Sequence, residues 1–348
     1  MLNALLTPLL GDPETEAHLS AEADIAQILV FEAALAEAEA DCDLIPRAAS
    51  DAIVKAATAL TPDHDAIAKA FARDGVVVPE LVRQLRAAVP TPFGERVHVG
   101  ATSQDALDTS LVLRLQKILV LYETRLAAID TALGALDARF GRNGLMAHTR
   151  MQDALKVTAG HRIAAWRAPL AGIAADLAAL RRTRLRLQFG GPVGTLDALG
   201  DRAEAIKLRL AERLGLPAGP QWQSNRQVIA ALGNTLSGLT GALGKMGQDF
   251  ALMAQNGLGE IVLAGGGGSS AMAHKANPVR AEVLVALARA NATLVSGLHQ
   301  TLIHEQERSG AAWTLEWLLL PPMLVQTGAA LNNAAALLDQ VRQIGTPA

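Results

Sequence analysis

Residues 265–278 run Gly-Gly-Gly-Gly-Ser-Ser-Ala-Met-Ala-His-Lys-Ala-Asn-Pro, and this stretch constrains the fold more than any other. Four consecutive glycines cannot pack a core, and they let the backbone bend freely and approach a ligand closely. Asn277 and Pro278 predict the start of a helix, with Asn277 as its cap and Pro278 in its first position. Lys275 beside this partly positive helix end indicates an anion site rather than a plain solvated linker.

The composition favours helices and excludes several classes of protein. Of the 348 residues, 50% are hydrophobic but only 3% are aromatic, which is unlike strand-rich chains. A net charge of −3 argues against a nucleic-acid partner. The single cysteine, Cys42, fits a reducing cytoplasm, and the first residues lack a signal-peptide pattern. No uninterrupted apolar run is long enough to predict a membrane span, so the mean hydropathy of +0.23 indicates helix faces buried between subunits.

Hydrophobic periodicity predicts an all-α protein built from long helices. Leu107, Leu111, Leu115, Ile118 and Tyr122 recur at steps of three and four, which is one stripe of a helix. Helices this long need partners along their whole length, so a bundle is expected. Residues 188–195 are expected to form a turn with a short hairpin. The predicted helices span about 21–40, 103–140, 153–187, 225–256, 278–305 and 318–344.

Two further segments concentrate polar residues in front of predicted long helices. Residues 98–105 contain His98, and Thr102 and Ser103 are natural helix caps. Residues 148–153 contain Thr149, Arg150 and Gln152 and are expected to open the second long helix. Each segment alone is also compatible with simple capping. Together with the glycine-rich stretch, they predict three anion-binding helix starts, as a polycarboxylate substrate would need.

These motifs resemble the signature of the fumarase/aspartase superfamily. Residues 268–278 match its Gly-Ser-Ser-x-Met-x-x-Lys-x-Asn-Pro pattern. Thr-Ser-x-Asp at 102–105 and Thr-x-x-Gln-x-Ala at 149–154 are similar to its first and second motif regions. Within the superfamily, the chain looks most like the cycloisomerases, on the segments 100–105, 188–191, 222–226 and 304–309.

The resemblance implies a homotetramer whose core is a bundle of long helices and whose active sites are shared between subunits. It implies an N-terminal helical domain at 1–97 and a central bundle at 98–348, and the superfamily's small C-terminal domain is expected to be missing. The substrate would be a small tricarboxylate, and no cofactor or metal would be required. The chemistry would be proton transfer beside a carboxylate, through an aci-carboxylate intermediate. A cytoplasmic enzyme is therefore expected.

The resemblance also assigns roles to individual residues. Ser269 matches the catalytic serine, and His98 holds the position of a functional histidine in adenylosuccinate lyases, with a role in substrate binding or acid–base chemistry. The sequence leaves open whether Arg226 holds a substrate carboxylate or pairs with acids of the protein. The expected substrate-binding residues are Thr102, Ser103, Thr149, Arg150, Gln152, Ser270, Lys275, Asn277 and Arg226.

The chain departs from the superfamily pattern at three positions. Arg150 stands where fumarases and adenylosuccinate lyases carry a histidine, which argues against their chemistry and leaves the proton donor unidentified. Ala273 replaces a proline of the loop, and Asp153 stands where cycloisomerases often have histidine. The alternatives are a fumarate-releasing lyase, such as adenylosuccinate lyase, and a non-catalytic helical scaffold. Ser269, Lys275 and Asn277 together argue against the scaffold.

Overall fold

A computed structural model describes residues 3–268, 272 and 275–347, so Ser269, Ser270 and His274 lie outside the described residues. The described chain is mainly helical, with two short antiparallel sheets, β1–β2 and β3–β4. The helices are α1 Thr7–Leu10, α2 Pro13–His18, α3 Ala21–Asp41, α4 Arg47–Ala59, α5 His64–Asp74, α6 Val78–Ala88, α7 Ser103–Phe140, α8 Ala159–Ala179, α9 Ala203–Leu214, α10 Gln227–Met253, α11 Val279–Gln300 and α12 Gly310–Asp339. The strands are β1 Gly144–Thr149, β2 Gln152–Thr158, β3 Ile261–Leu263 and β4 Val341–Ile344.

The central helix α7 confirms the strongest periodicity prediction. It has 38 residues and no internal proline, so it extends about 57 Å at 1.5 Å per residue. Its start is defined by a capping box, in which Thr102 and Asp105 satisfy each other's backbone N–H groups. Buried apolar residues continue at helical spacing to Leu136, and α3, α8 and α12 pack around them. A single hydrophobic core runs along the bundle.

Glycines bring α10 and α11 into close contact. A Cβ atom on Gly247 would lie 2.6 Å from the Ala281 carbonyl oxygen, and one on Gly244 would lie 2.5 Å from the Ala288 Cβ. Since real Cβ atoms do not approach that closely, only glycine permits this helix spacing. The close packing of α10 and α11 therefore fixes the positions at which the chain leaves α10 and enters α11.

The prediction of a second long helix beginning at Asp153 is wrong. Residues 144–158 form the hairpin β1–β2, and α8 begins only at Ala159, where the Thr158 side chain accepts a hydrogen bond from the backbone N–H of His161 at 3.2 Å. A short alternation of apolar and polar residues fits both a strand and a helix, so periodicity alone could not separate them. Thr149, Arg150 and Gln152 consequently lie at a hairpin tip and not at a helix start.

Three other segments differ from the prediction. Residues 188–195 contain no strand. Helix α12 begins at Gly310, eight residues earlier than expected, because Ser309 caps it, and it contains both Pro321 and Pro322. It ends at Asp339, where the chain turns into β4 to pair with β3. Helix α11 begins at Val279 with Pro278 as the N-cap residue, so Asn277 is not the cap.

Two helical segments are long and apolar enough to cross a membrane by length and composition. They are Ala159–Arg184, which adds a π-helical turn to α8, and Val279–Gln300. Only 28% and 33% of their most apolar windows are buried within this chain. Both pack in the bundle, α8 against α7 and α10, and α11 against α10 and α12.

Candidate active site

The loop in front of α7 is fixed by a buried carboxylate. Asp105 accepts four hydrogen bonds, from the Gln188 side chain at 3.0 Å and from the backbone N–H groups of Gly190 at 2.9 Å, Gly191 at 2.9 Å and Thr102 at 3.0 Å. Burial nevertheless raises the pKa of Asp105 to about 6, against the lowering effect of these donors. Three of these bonds join the start of α7 to residues 188–191, and the fourth, from Thr102, belongs to the cap of the helix.

Three of the predicted site residues belong to this loop and the first turn of α7. Thr102 and Ser103 are half-buried, and His98 lies five residues before the helix. Gly100 has a φ of +70°, and a Cβ atom there would lie 2.4 Å from a methyl carbon of Leu199. Glycine is therefore required at position 100 by close packing and by its left-handed backbone.

His98 is bound to a carboxylate of α3. Its Nδ1 atom lies 2.6 Å from Oε1 of Glu32, and the histidine and glutamate side chains are 13% and 1% exposed. Its φ of 64° is rare for a residue other than glycine. Burial works against the charged ring, but the charge and hydrogen bond of Glu32 outweigh it and raise the pKa of His98. The structure thus favours a protonated histidine in this loop.

A second buried acid, Glu39, lies near Glu32 on the same helix. It is fully buried, and neither of its carboxyl oxygens has a hydrogen-bond partner in the described part of the chain. Burial, followed by the charge of Glu32, raises the pKa of Glu39 to about 9, although Arg96 opposes this effect. Glu39 is therefore uncharged at neutral pH, while Glu32 bonds to His98.

Glu39→Gln is expected to stabilise the protein at pH 8 by on the order of 1 to 3 kcal/mol. The pKa of Glu39 in the folded state lies above its ordinary value of 4.5, so the group weakens folding increasingly as the pH rises from 4.5 to about 9. Glutamine keeps the shape of the neutral acid and does not titrate. Thermal unfolding at pH 8 and at pH 5 checks this expectation.

The gain from Glu39→Gln should shrink at pH 5. At that pH, Glu39 is protonated in most folded molecules and in part of the unfolded ones. Glu37→Gln is the matched control, because Glu37 is 37% exposed and pairs with Arg213 at 3.1 Å. It should show no gain that grows with pH. An equal effect of Glu39→Gln at both pH values would contradict the raised pKa.

Arg226 forms a buried ion triad near the start of α7. Its guanidinium bonds to Asp108 at 2.6 and 3.0 Å and to Glu316 at 2.6 and 2.8 Å. It stacks on Trp222 at 4.4 Å, and its side chain is 0% exposed. Of the two roles that the sequence left open, the structure shows the pairing with acids. Arg226 is therefore left out of the substrate-binding set proposed below.

The hairpin tip presents the second set of predicted residues to solvent. Thr149 pairs with Gln152, and Arg150 and Met151 between them have φ values of 52° and 66°. Positive φ at both central residues is the form of a type I′ turn, which normally requires glycine or asparagine. The side chains of Thr149, Arg150 and Gln152 are exposed. A strained turn made of ordinary residues is typical of a functional position.

The third set lies on the loop between β3 and α11. Gly267 and Asn277 form a bridge through two backbone hydrogen bonds of 2.9 and 3.0 Å, which closes the base of this loop. Lys275 is exposed and Asn277 is half-buried. Ser269 and Ser270 lie outside the described residues, so their predicted roles remain predictions.

The predicted site residues that the structure describes occupy opposite ends of the bundle. At one end, which we call the His98 end, the starts of α7, α10 and α12 meet: Gln104 donates to the Gln223 carbonyl at 2.8 Å and accepts from Arg308 at 2.8 Å. At the other, the loop end, Asn143 donates to the Ile344 carbonyl at 2.7 Å. The hairpin β1–β2 and the described loop residues 264–268 and 275–278 lie at the loop end. One chain therefore does not bring the three sets together.

The sequence interpretation missed Glu32 and Glu39, although the sequence contained a signal. Ile25, Ile28 and Leu35 form the buried stripe of α3, and Glu32 and Glu39 fall on that same stripe. Acids that interrupt an apolar stripe at helical spacing are the detectable sign of buried carboxylates. In the described part of the chain, no cluster of three or more His, Cys, Asp or Glu side chains could hold a metal ion.

Comparison with known proteins places these features in a family. The lyase family model matches residues 14–291. The 3-carboxy-cis,cis-muconate cycloisomerase of Bradyrhizobium diazoefficiens is 36% identical over 345 residues, covering 97% of this chain and 76% of the relative. That of Pseudomonas aeruginosa is 39% identical over 319 residues, covering 90% and 70%. The chain belongs to this lyase family, the fumarase/aspartase superfamily of enzymes.

A solved structure confirms the predicted fold class. The crystal structure of 3-carboxy-cis,cis-muconate lactonizing enzyme from Pseudomonas putida superimposes with a TM-score of 0.92 at 35% identity. The match covers 98% of this chain and 77% of that one. The all-α, long-helix bundle of the fumarase/aspartase type is therefore shown.

Proposed function

We propose that this chain catalyses the lactonisation of 3-carboxy-cis,cis-muconate to 4-carboxymuconolactone, a step of protocatechuate breakdown. The observation that carries the proposal is the similarity to cycloisomerases of that substrate, which extends over 90% or more of this chain at 36 and 39% identity. Arg150 at the hairpin tip adds support, because fumarate-releasing lyases carry a histidine there by the resemblance described above.

The proposed reaction is an internal addition in which the substrate loses no atoms and takes up one proton. An oxygen of one substrate carboxylate forms a bond to a carbon of its own double bond. The displaced electron pair moves to the neighbouring carbon, beside another carboxylate, where it is held as an aci-carboxylate. A proton then adds to that carbon. Stabilising the extra negative charge is the main task of the site, and preorganised donors and cations perform it well.

The two ends of the bundle supply complementary parts of this site. The His98 end offers His98, Thr102 and Ser103, and the loop end offers the cations Arg150 and Lys275. Thr149, Gln152 and Asn277 add hydrogen-bonding groups, and Ser269 and Ser270 are proposed members of the loop set. Ser269 takes part in the proton transfer in this proposal. Because α7 alone extends about 57 Å, a small tricarboxylate contacts both sets only if different subunits provide them.

Uncovered apolar surface supports the proposed homotetramer. Most residues in the apolar windows of α8 and α11 are exposed or only half-buried within one chain. Met151 and Leu155 of the hairpin are 73% and 74% exposed, although a two-stranded hairpin is only marginally stable on its own. Other copies running in the opposite direction would cover these faces and bring a loop end to each His98 end.

The purified protein is expected to consume 3-carboxy-cis,cis-muconate, with loss of the diene absorbance and formation of one lactone per substrate. Ser269→Ala should lower kcat by about 100-fold or more, as loss of a proton-transfer group does. Adenylosuccinate tests the alternative lyase activity, and release of fumarate from it without lactone formation would replace this proposal. Unchanged turnover in Ser269→Ala would remove the role of the serine but not the activity.

A further inference from the structure

We propose that Glu32 is a positioning residue that holds His98 as a protonated donor, with its Nε2–H available to a carboxylate of the substrate. The inference rests on the proposed function for the identity of that substrate. It concerns a residue outside the three signature motifs, on a helix of the N-terminal part of the chain. It also gives Glu32, one of the two buried acids of α3, a function.

The geometry leaves His98 one nitrogen for a ligand. A carboxylate only accepts hydrogen bonds, so Nδ1 donates to Glu32 across 2.6 Å. Nε2 has no hydrogen-bond partner among residues 3–268, 272 and 275–347, and it is not sealed from solvent. The left-handed backbone of His98 holds the ring in this place at an energetic cost, which is typical of functional positions.

The charges around His98 favour its protonated form. Glu32 on α3 and Asp105 on α7 stabilise the imidazolium, and Arg86 on α6 opposes it. Glu39, the other acid of α3 in this region, is uncharged at neutral pH and therefore leaves Glu32 as the partner of the ring. Without Glu32, burial would favour the neutral ring, which offers a carboxylate no cation.

Glu32→Gln separates this role from simple packing, since glutamine keeps the size but removes the charge. The His98 pKa is measured directly, from the pH dependence of diethyl pyrocarbonate labelling of its peptide in the intact protein. Binding of propane-1,2,3-tricarboxylate is measured by calorimetry from pH 6 to 9, and kcat/KM is measured over the same range. Glu32→Asp is the conservative variant, and Glu39→Gln, on the same helix face, is the matched control.

In Glu32→Gln, we expect the His98 pKa to fall by at least one unit and tricarboxylate binding to weaken about 10-fold at pH 7.5. As the pH rises, binding and kcat/KM should both begin to decline at a lower pH than they do in the wild type. Glu32→Asp should restore part of both, and Glu39→Gln should change neither. An unchanged His98 pKa, or a lowered pKa with unchanged pH dependence of binding, would overturn the inference. Absence of lactone formation in the wild type would instead reject the proposed function, and the binding data would still decide the role of Glu32.

Discussion

Arg226→Met is expected to lower the free energy of unfolding by about 3 to 5 kcal/mol, the usual cost of breaking a buried ion pair. The substitution leaves Asp108 and Glu316, which are 2% and 3% exposed, as two buried acids without a cation. Burial already raises the pKa of Glu316, with Arg226 opposing that shift. Removing Arg226 raises it further, so the loss of stability should be greatest above neutral pH and should diminish near pH 4.

Urea unfolding at pH 8 and pH 4 measures the effect of Arg226→Met. Arg73→Met is the matched control, because Arg73 pairs with Asp74 on the surface and its side chain is 75% exposed. That variant should unfold like the wild type. Replacing Asp108 and Glu316 by leucine in the Arg226→Met background should recover much of the loss, since apolar residues can replace a buried triad. A loss no larger than that of Arg73→Met would contradict the triad's role.

Two inactive variants with substitutions at opposite ends of the bundle are expected to regain activity when they assemble together. His98→Ala and Lys275→Ala should each lower kcat/KM by about 100-fold or more, as loss of a charged group in a site does. A mixed assembly contains some sites in which an intact His98 end meets an intact loop end. Turnover of the mixture should therefore exceed that of either variant alone by a large factor.

The matched control for this experiment combines His98→Ala with Thr102→Ala. Both changes lie at the His98 end, on the loop and cap in front of α7, so a site with both residues intact needs a wild-type copy. Co-expression with two different affinity tags isolates the mixed assemblies before assay. Equal recovery in both mixtures, or none in the His98 and Lys275 mixture, would contradict sites shared between subunits.

The long helices α3, α7 and α10 could be predicted well from the sequence. Helix α7 followed from an apolar stripe without proline, and α3 and α10 were placed within about three residues of their ends. The hairpin β1–β2 could not be predicted, because its short apolar alternation also fits a helix. The stability of this hairpin depends on residues outside the segment, and local sequence patterns do not take them into account. The predicted start of the last helix, at about residue 318, is eight residues too late for a similar reason, since the Ser309 cap determines where α12 begins.

The residue types of the candidate site were evident before the structure, but their arrangement was not. The glycine-rich stretch, the Thr102–Ser103 cap and the Arg150 segment carry recognisable motifs, because binding of carboxylates requires those groups close together in the sequence. These sets lie at opposite ends of the bundle, whose helix α7 is about 57 Å long. Their placement depends on how the long helices reverse direction, which only the folded chain decides. Local sequence specifies capping and periodicity, whereas burial depends on which distant faces meet. For that reason tertiary structure alone paired Arg226 with Asp108 and Glu316, and His98 with Glu32.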